Sequence, residues 1–255
     1  MADTKRIFFP GCSLSHYSPE VVEKTLEHVA NKLPGTGSIL KCCGKPTKAL
    51  GQQKKFKERF AGLQEEFDEL GVEEVIVACQ SCYLTLSEYS DRKITSLWEI
   101  FPEIGLPEEV VGEGKESDLT FAIHDSCSTR DKEKIHDGIR WIIEELGYEI
   151  EELEHSREDT RCCGYGGMIV PVNPELAETM MEKRANQAES EYMVTYCAAC
   201  RGSMATGGKK AVHILDLVFR GPWTEDSEFP GAGGNPLKSW ANRYKAKRKI
   251  NKTLG

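Results

Sequence analysis

The chain has no run of about 18 apolar residues, which excludes a transmembrane helix. Its opening stretch, MADTKRIFFPGCS, lacks the apolar core of an export signal and goes straight into a strand-like run. A cytoplasmic protein is therefore expected. No G-x-G-x-x-G follows a strand, and Gly164-Tyr165-Gly166-Gly167 has the wrong spacing and context for a nucleotide fingerprint. Acidic residues are missing from residues 229–255, where seven Lys and Arg fall (Lys238, Arg243, Lys245, Lys247, Arg248, Lys249, Lys252). The whole chain carries a net charge of −8, so residues 1–228 carry −15. An acidic body repels nucleic acid and anionic membrane.

What remains is a chain of 255 residues, 39% apolar and 29% charged, long enough to bury a core. It contains ten cysteines. Disulfide frameworks belong mainly to small secreted domains, so metal binding is the better reading of these thiols.

The cysteines form one pattern written twice. The first half has Cys12, then Cys42-Cys43-Gly44, then Cys79-Gln80-Ser81-Cys82. The second has Cys127, then Cys162-Cys163-Gly164, then Cys197-Ala198-Ala199-Cys200. The offsets are 115, 120 and 118 residues, and no cysteine is left over. The flanks repeat too: RIFFPGC matches FAIHDSC, and EVIVAC matches YMVTYC. At the offset of 118, Ile94, Leu97, Ile100 and Phe101 match Val212, Leu215, Val218 and Phe219. Internal repetition of this kind signals a duplicated unit. The expected division is residues 1–112, 113–222 and a basic extension, 223–255.

Short apolar runs, Ile7–Phe9, Val75–Ala78, Phe121–Ile123 and Met193–Tyr196, lead to cysteines and read as buried strands. Helical stripes lie between them: Val22, Leu26, Val29 and Leu33; Phe56, Phe60, Leu63, Phe67 and Leu70; Ile135, Ile139, Ile142, Ile143 and Leu146. Pro19 and Pro174 mark helix starts, and Gly71 and Gly147 mark helix stops. The expected fold is α/β: two pseudo-symmetric parallel-sheet units with the cysteines in loops at the strand C-terminal ends, where such sheets place their functional crevice. Both CxxC motifs open apparent helices, whose N-termini stabilise thiolate.

A structural zinc takes four ligands, as does an ordinary [4Fe–4S] or [2Fe–2S] cluster. Each half offers five. Neighbouring side chains point apart in extended backbone, so each Cys-Cys pair is expected to suit a cluster spread over several irons better than a single ion. Sulfur-only donors leave iron–sulfur clusters, zinc or redox-active thiols open.

The tandem pattern, with CCGYGGMIVPVNPELAETMMEKR in its second half, resembles the CCG cysteine-rich family, which includes iron–sulfur proteins of the heterodisulfide reductase B type. The resemblance spans about residues 5–220. It implies two non-cubane [4Fe–4S] clusters, one on Cys12, Cys42, Cys43, Cys79 and Cys82, the other on Cys127, Cys162, Cys163, Cys197 and Cys200. It also implies an oxidoreductase component that reduces a disulfide or a related two-electron acceptor. The chain has no ferredoxin-type CxxCxxCxxxC run, so electrons are expected from a partner, an iron–sulfur (ferredoxin-like) subunit or a flavoprotein. The other open functions are a relay from a dehydrogenase or flavoprotein to quinone, and a zinc or thiol-redox module. Peripheral membrane association through a partner fits either redox reading.

Around the thiols, Gly44 and Gly164 are candidates for close backbone approach to a cluster. His16 and His124 are candidates to tune a cluster or to pass a proton to a leaving thiolate, against the plainer reading of structural histidines. Tyr83 and Tyr165 follow cluster cysteines and either line the site or simply pack. His28, His136 and His155 are expected at the surface, and His213, opposite Thr95 at the offset of 118, in a packing role. KSWANRYKAKRKINKTL is expected to form a weak amphipathic helix with Trp240, Tyr244 and Leu254 on one side, docking an acidic partner or the chain's own acidic body, or else a flexible tail.

Overall fold

The computed structural model describes residues 5–233 and 235–253. The chain folds as two compact units, one of Met1–Ile100 with Asn235–Gly255, the other of Phe101–Gly234.

The first unit runs β1 (Arg6–Phe9), α1 (Cys12–Tyr17), α2 (Pro19–Lys32), β2 (Thr36–Ser38), α3 (Lys45–Ala49), α4 (Gln53–Glu69), β3 (Glu74–Val77), α5 (Gln80–Tyr89), β4 (Lys93–Ser96) and the start of α6 (Leu97–Ile104). Its sheet is parallel in the order β2-β1-β3-β4. Ile7, Phe8, Phe9, Val75, Ile76 and Val77 are all buried. Burial of successive residues, rather than alternate ones, is the mark of central parallel strands covered on both faces.

The second unit repeats the plan: β5 (Thr120–His124), α7 (Glu133–Leu146), β6 (Glu149–Glu151), α8 (Ile169–Val172), α9 (Pro174–Ala185), β7 (Tyr192–Thr195), α10 (Ala198–Thr206), β8 (Lys210–His213) and α11 (Ile214–Arg220). Its parallel order, β6-β5-β7-β8, is the same. The expected α/β repeat is therefore present. Each sheet also has two strands beyond those read from the sequence. They are short and half-polar (TGS and KITS in one, EIE and KAVH in the other), as edge strands are.

Local signals set the helix ends. Pro19 opens α2 behind Ser18, whose hydroxyl accepts from the Val21 N–H at 3.3 Å. Pro174 opens α9 behind Asn173, whose side-chain Oδ1 accepts from Leu176 N at 3.1 Å. Gly147 ends α7 at φ 86°, and its N–H bonds Ile143 O and Glu144 O at 3.0 Å. The Phe56, Phe60, Leu63 and Phe67 stripe of α4 is buried core, while Leu70 lies past the helix end and is exposed.

Two expectations from the repeat need correction. In strand register, Val77 faces Ser96 and Thr195 faces His213, so His213 matches Ser96, not Thr95. Helix α10 is one residue shorter than α5, nine residues against ten, which moves the local offset to 117. His213 is then the N-cap of α11: its Nδ1 accepts from Leu215 N at 3.2 Å, and Asp216 accepts from His213 N at 2.9 Å. Glu99 accepts from Ser96 N at 3.2 Å in the matching place of the first unit. Secondly, His136 is buried on α7, not at the surface. It lies three residues from Ile139 and seven from Ile143, which brings it onto the apolar face of the helix.

The basic segment forms α12 (Pro236–Thr253) and packs on α1 and α2 of the first unit. The buried face is Ala246 and Ile250, not the aromatic one; Trp240 and Tyr244 are exposed, and Leu254 lies outside the described residues. Asn242 Nδ2 donates to His16 O at 2.8 Å, and Lys249 pairs with Glu23. The positive helix has docked on the acidic helix of its own chain. Among the described residues no helix is long and apolar enough to cross a membrane.

Candidate metal centres

Each sheet delivers its cysteines at one edge. In the first unit, Cys12 follows β1 and opens α1, Cys42 and Cys43 lie beyond β2, and Cys79 follows β3 as the N-cap of α5. In the second, Cys127 follows β5, Cys162 and Cys163 lie beyond β6, and Cys197 caps α10 after β7. Parallel strands carry every such loop to the same end of the sheet.

All five thiols of each set meet. In the first, Cys82 Sγ donates to Cys43 Sγ at 3.2 Å, and Cys12, Cys42 and Cys79 lie near enough to shift the acidity of their neighbours in the set. In the second, the Cys163 and Cys200 sulfurs lie within 4.8 Å of each other, and Cys127, Cys162 and Cys197 shift the acidity of their neighbours in the set in the same way. All ten are free thiols. Cys42 and Cys43 act on each other's acidity, and so do Cys162 and Cys163, so each adjacent pair belongs to one set.

The sulfurs differ in charge. Cys42 is pushed down to about 2 because Cys12 and Cys43 both donate S–H to it, with the Gly44 N–H adding a third donor at 3.4 Å. Cys162 is lowered likewise by Cys127 and Cys163, with the N–H groups of Gly164 and Gly166. Cys43 and Cys163 are each pushed up to about 12, chiefly by giving their protons to that neighbour. Cys197 falls to about 7 through Cys200, against its own burial. One thiolate per set, ringed by thiols and backbone N–H groups, is a soft anionic donor set.

Gly44 and Gly164 have positive φ, 82° and 84°, which lets the turn aim its N–H at the cysteine pair. Neither has room for a side chain. A Cβ at Gly44 would lie 2.9 Å from the Phe56 ring, and one at Gly164 3.0 Å from Ala177 O. Gly11 is a third such position, and sequence reasoning missed it: a Cβ there would meet Cys79 Cβ at 2.6 Å and the Cys79 and Cys82 sulfurs at 3.3 Å. The Gly-Cys dipeptide at 11–12 is the signal that could have found it.

Two fivefold sulfur sites at matching strand ends are the feature by which a cysteine-rich family can be recognised, and the sequence matches one. Residues 7–87 and 121–205, one stretch in each unit, match the family described as CCG, cysteine-rich domain. The chain belongs to the CCG family.

Among its relatives is an uncharacterized iron–sulfur protein of Methanococcus maripaludis, 29% identical over 229 residues, which cover 83% of this chain and 45% of that one. A component of the dihydromethanophenazine:CoB–CoM heterodisulfide reductase of Methanosarcina barkeri is 22% identical, with 83% and 57% covered. An EtfAB:quinone oxidoreductase of Syntrophomonas wolfei is 25% identical, with 80% and 31% covered. The chain thus spans from just under a third to somewhat over half the length of these curated relatives.

Around its thiols this CCG protein is asymmetric. In the first unit, His16 sits on α1 within electrostatic reach of Cys42; burial, then Arg243 of α12, lowers its basicity. Arg243 also favours the Cys42 thiolate, a contribution from the basic helix that spacing did not reveal. Tyr83 is half-buried and packs on the core beside Cys79. In the second unit, Tyr165 is an exposed ring, and its backbone N–H serves Cys163.

His124 is fully buried at the end of β5, and burial, then Arg184, pushes it down to about 3. Next to it, Asp125 is bound by Arg140 through two hydrogen bonds of 2.9 and 2.8 Å. Its backbone oxygen receives Thr160 Oγ1 at 2.9 Å, and Tyr196 OH receives Ser126 N at 3.0 Å. These bonds tie the Cys127 loop to the segment leading into Cys162.

Proposed function

We propose that this chain is an iron–sulfur oxidoreductase component of heterodisulfide reductase B type, holding one non-cubane [4Fe–4S] cluster on each cysteine set. It reduces a small-molecule disulfide, or a related two-electron acceptor, in the cytoplasm. Electrons come from a ferredoxin-like iron–sulfur protein or a flavoprotein. The unit boundaries proposed for this role are residues 1–112 and 113–222, with the basic extension at 223–255.

The observation that carries the reading is the gathering of five sulfurs at the same end of each sheet, one more than a cubane or a zinc site uses. The donor set fits the group. It is all sulfur, one member is already thiolate, and backbone N–H groups from Gly44, Gly164 and Gly166 point at it. The relatives named as an iron–sulfur protein and as part of a heterodisulfide reductase support the same reading. When bound, such clusters supply single-electron steps at a metal–thiolate surface. The chain's own part is to hold the sulfurs, keep Cys43, Cys82, Cys163, Cys197 and Cys200 away from water, and leave Cys12, Cys42, Cys127 and Cys162 nearer solvent, where an acceptor approaches.

The test is anaerobic purification with iron and sulfide analysis, followed by mixing reduced protein with a panel of disulfides. Two clusters' worth of iron and re-oxidation by a disulfide are expected. Protein that stays reduced with every disulfide but passes electrons to a quinone analogue would support the relay reading, which the relative named as a quinone oxidoreductase favours. A colourless zinc-loaded protein would sink both.

A further inference from the structure

The two cysteine sets are matched in sulfur but not in what surrounds it. Three residues before the first cysteine of each set, a strand ends: at Phe9 in the first unit and at His124 in the second. The positions are equivalent in register, since Phe9 faces Val77 of β3 and His124 faces Thr195 of β7. Both side chains are fully buried. One is a hydrocarbon ring. The other brings two nitrogens into an apolar interior, where an unmet polar atom is costly.

The first nitrogen is accounted for. Arg184 Nε donates to His124 Nδ1 at 3.0 Å. The guanidinium cannot swing away, because its other nitrogens are held by Gln187 Oε1 at 2.6 Å, His155 O at 2.9 Å and Thr160 Oγ1 at 3.3 Å. A guanidinium has donors and no acceptor. The atom facing it must therefore be the lone-pair nitrogen, and a neutral imidazole then carries its proton on Nε2.

The second nitrogen, Nε2, is buried and has no hydrogen-bond partner among the described residues. A ring nitrogen of His124 and the sulfurs of Cys163 and Cys200 lie within 4.8 Å of one another. Since Nδ1 is taken by Arg184, Nε2 is the nitrogen left for those sulfurs.

We infer that His124 donates its Nε2–H to the metal–sulfur group held by the second cysteine set, with Arg184 fixing the tautomer, and that the two sites of the protein are thereby electronically unequal. His124 is a positioning and tuning residue, not a ligand, because a nitrogen that carries the proton has no lone pair for a metal. A donor aimed at a cluster sulfur stabilises the more electron-rich, reduced state and raises the potential. The first site, with Phe9 in the matching place, lacks this donor. The inference rests on the iron–sulfur reading above, and elemental analysis of the wild-type protein tests that reading separately: absence of iron there refutes the function before any variant is made.

The experiment is a potentiometric titration followed by EPR on the full-length, anaerobically loaded chain, as wild type, His124→Phe and His124→Gln. His124→Phe copies the first unit and is expected to move one midpoint potential to more negative values and leave the other in place, with iron content kept. His124→Gln keeps an N–H donor and is expected to recover part of the shift. If His124→Phe does not retain iron, His124→Gln and its titration decide the matter. Unchanged potentials in iron-loaded variants overturn the inference. So does a strongly coupled, directly bound nitrogen in pulsed EPR of protein labelled with ¹⁵N-histidine, which would make His124 a ligand; the weak coupling of a hydrogen-bonded ring is expected instead.

Discussion

Replacing Asp125 by Asn removes one negative charge and almost no volume, so its effect isolates the electrostatics beneath the second site. The carboxylate is fully buried. It accepts from Arg140 Nη1 and Nη2 at 2.9 and 2.8 Å, from Arg157 N at 2.8 Å and from Tyr196 OH at 3.3 Å. Burial alone would raise its pKa, but the Arg140 hydrogen bonds and charge outweigh burial and hold the carboxyl below its usual range. An Asn amide turns an N–H₂ toward one of these donors. Breaking one side of a buried pair costs about 3–5 kcal/mol. Arg140 keeps a second partner in Glu152, at 2.6 and 2.7 Å on a half-exposed side chain, so its charge is not left unpaired. The expected loss therefore sits at the lower end, about 3 kcal/mol. In urea, with a slope of about 2 kcal/mol per molar, the midpoint falls by about 1.5 M. The sign with pH follows from the lowered carboxyl. Its contribution is fully present above the unfolded-state value and is lost as pH falls through the folded one. The gap between wild type and Asp125→Asn should accordingly close in acid and hold at neutrality. A neutral-pH shift below about 0.5 M, or a gap that does not narrow in acid, would refute the reasoning.

Gly44→Ala forces a left-handed backbone onto a residue with a Cβ at 2.9 Å from Phe56; it should cost about 1–2 kcal/mol in urea unfolding and lower iron retention. Ile250→Ala empties a buried contact of α12 and should destabilise the chain by about 2 kcal/mol, read as a lower melting temperature. Glu74 is held down to about 2 by Lys93, Thr95 and Arg6 against the opposing effect of burial. Its stabilisation is present above the usual carboxylate range and is lost as pH falls toward 2, so Glu74→Gln should flatten the acid limb of the stability curve over that interval. Cys163→Ser should reduce iron to roughly half by elemental analysis, provided that the two sets load independently.

Much of the architecture was legible because the repeat states it twice. The four central strands are apolar runs ending near cysteines, and their positions follow from sequence alone. The edge strands were not legible, because TGS and EIE carry too little apolar pattern to distinguish them from loop. A single offset carried across a helix that is one residue shorter in the second half puts His213 one residue out of register. His136 and Arg140 were hidden because a polar residue on an apolar helix face looks like surface until its partner is known, and the partner of Arg140, Asp125, lies 15 residues away. The cysteine sets were legible as sets. The left-handed turns at Gly44 and Gly164 were not, because spacing does not encode φ.

The docking of α12 also bears on how the molecule is made. Lys249 and Glu23 are 226 residues apart in sequence yet belong to one compact unit. On a ribosome, which adds about 5–20 residues per second, the first unit is begun first and closed last, after the second has emerged entire. For about 10 to 40 seconds the nascent chain presents an α2 surface whose cover has not yet been synthesised. That interval, rather than any weakness of the finished fold, is when the first unit is most open to mispairing and proteolysis.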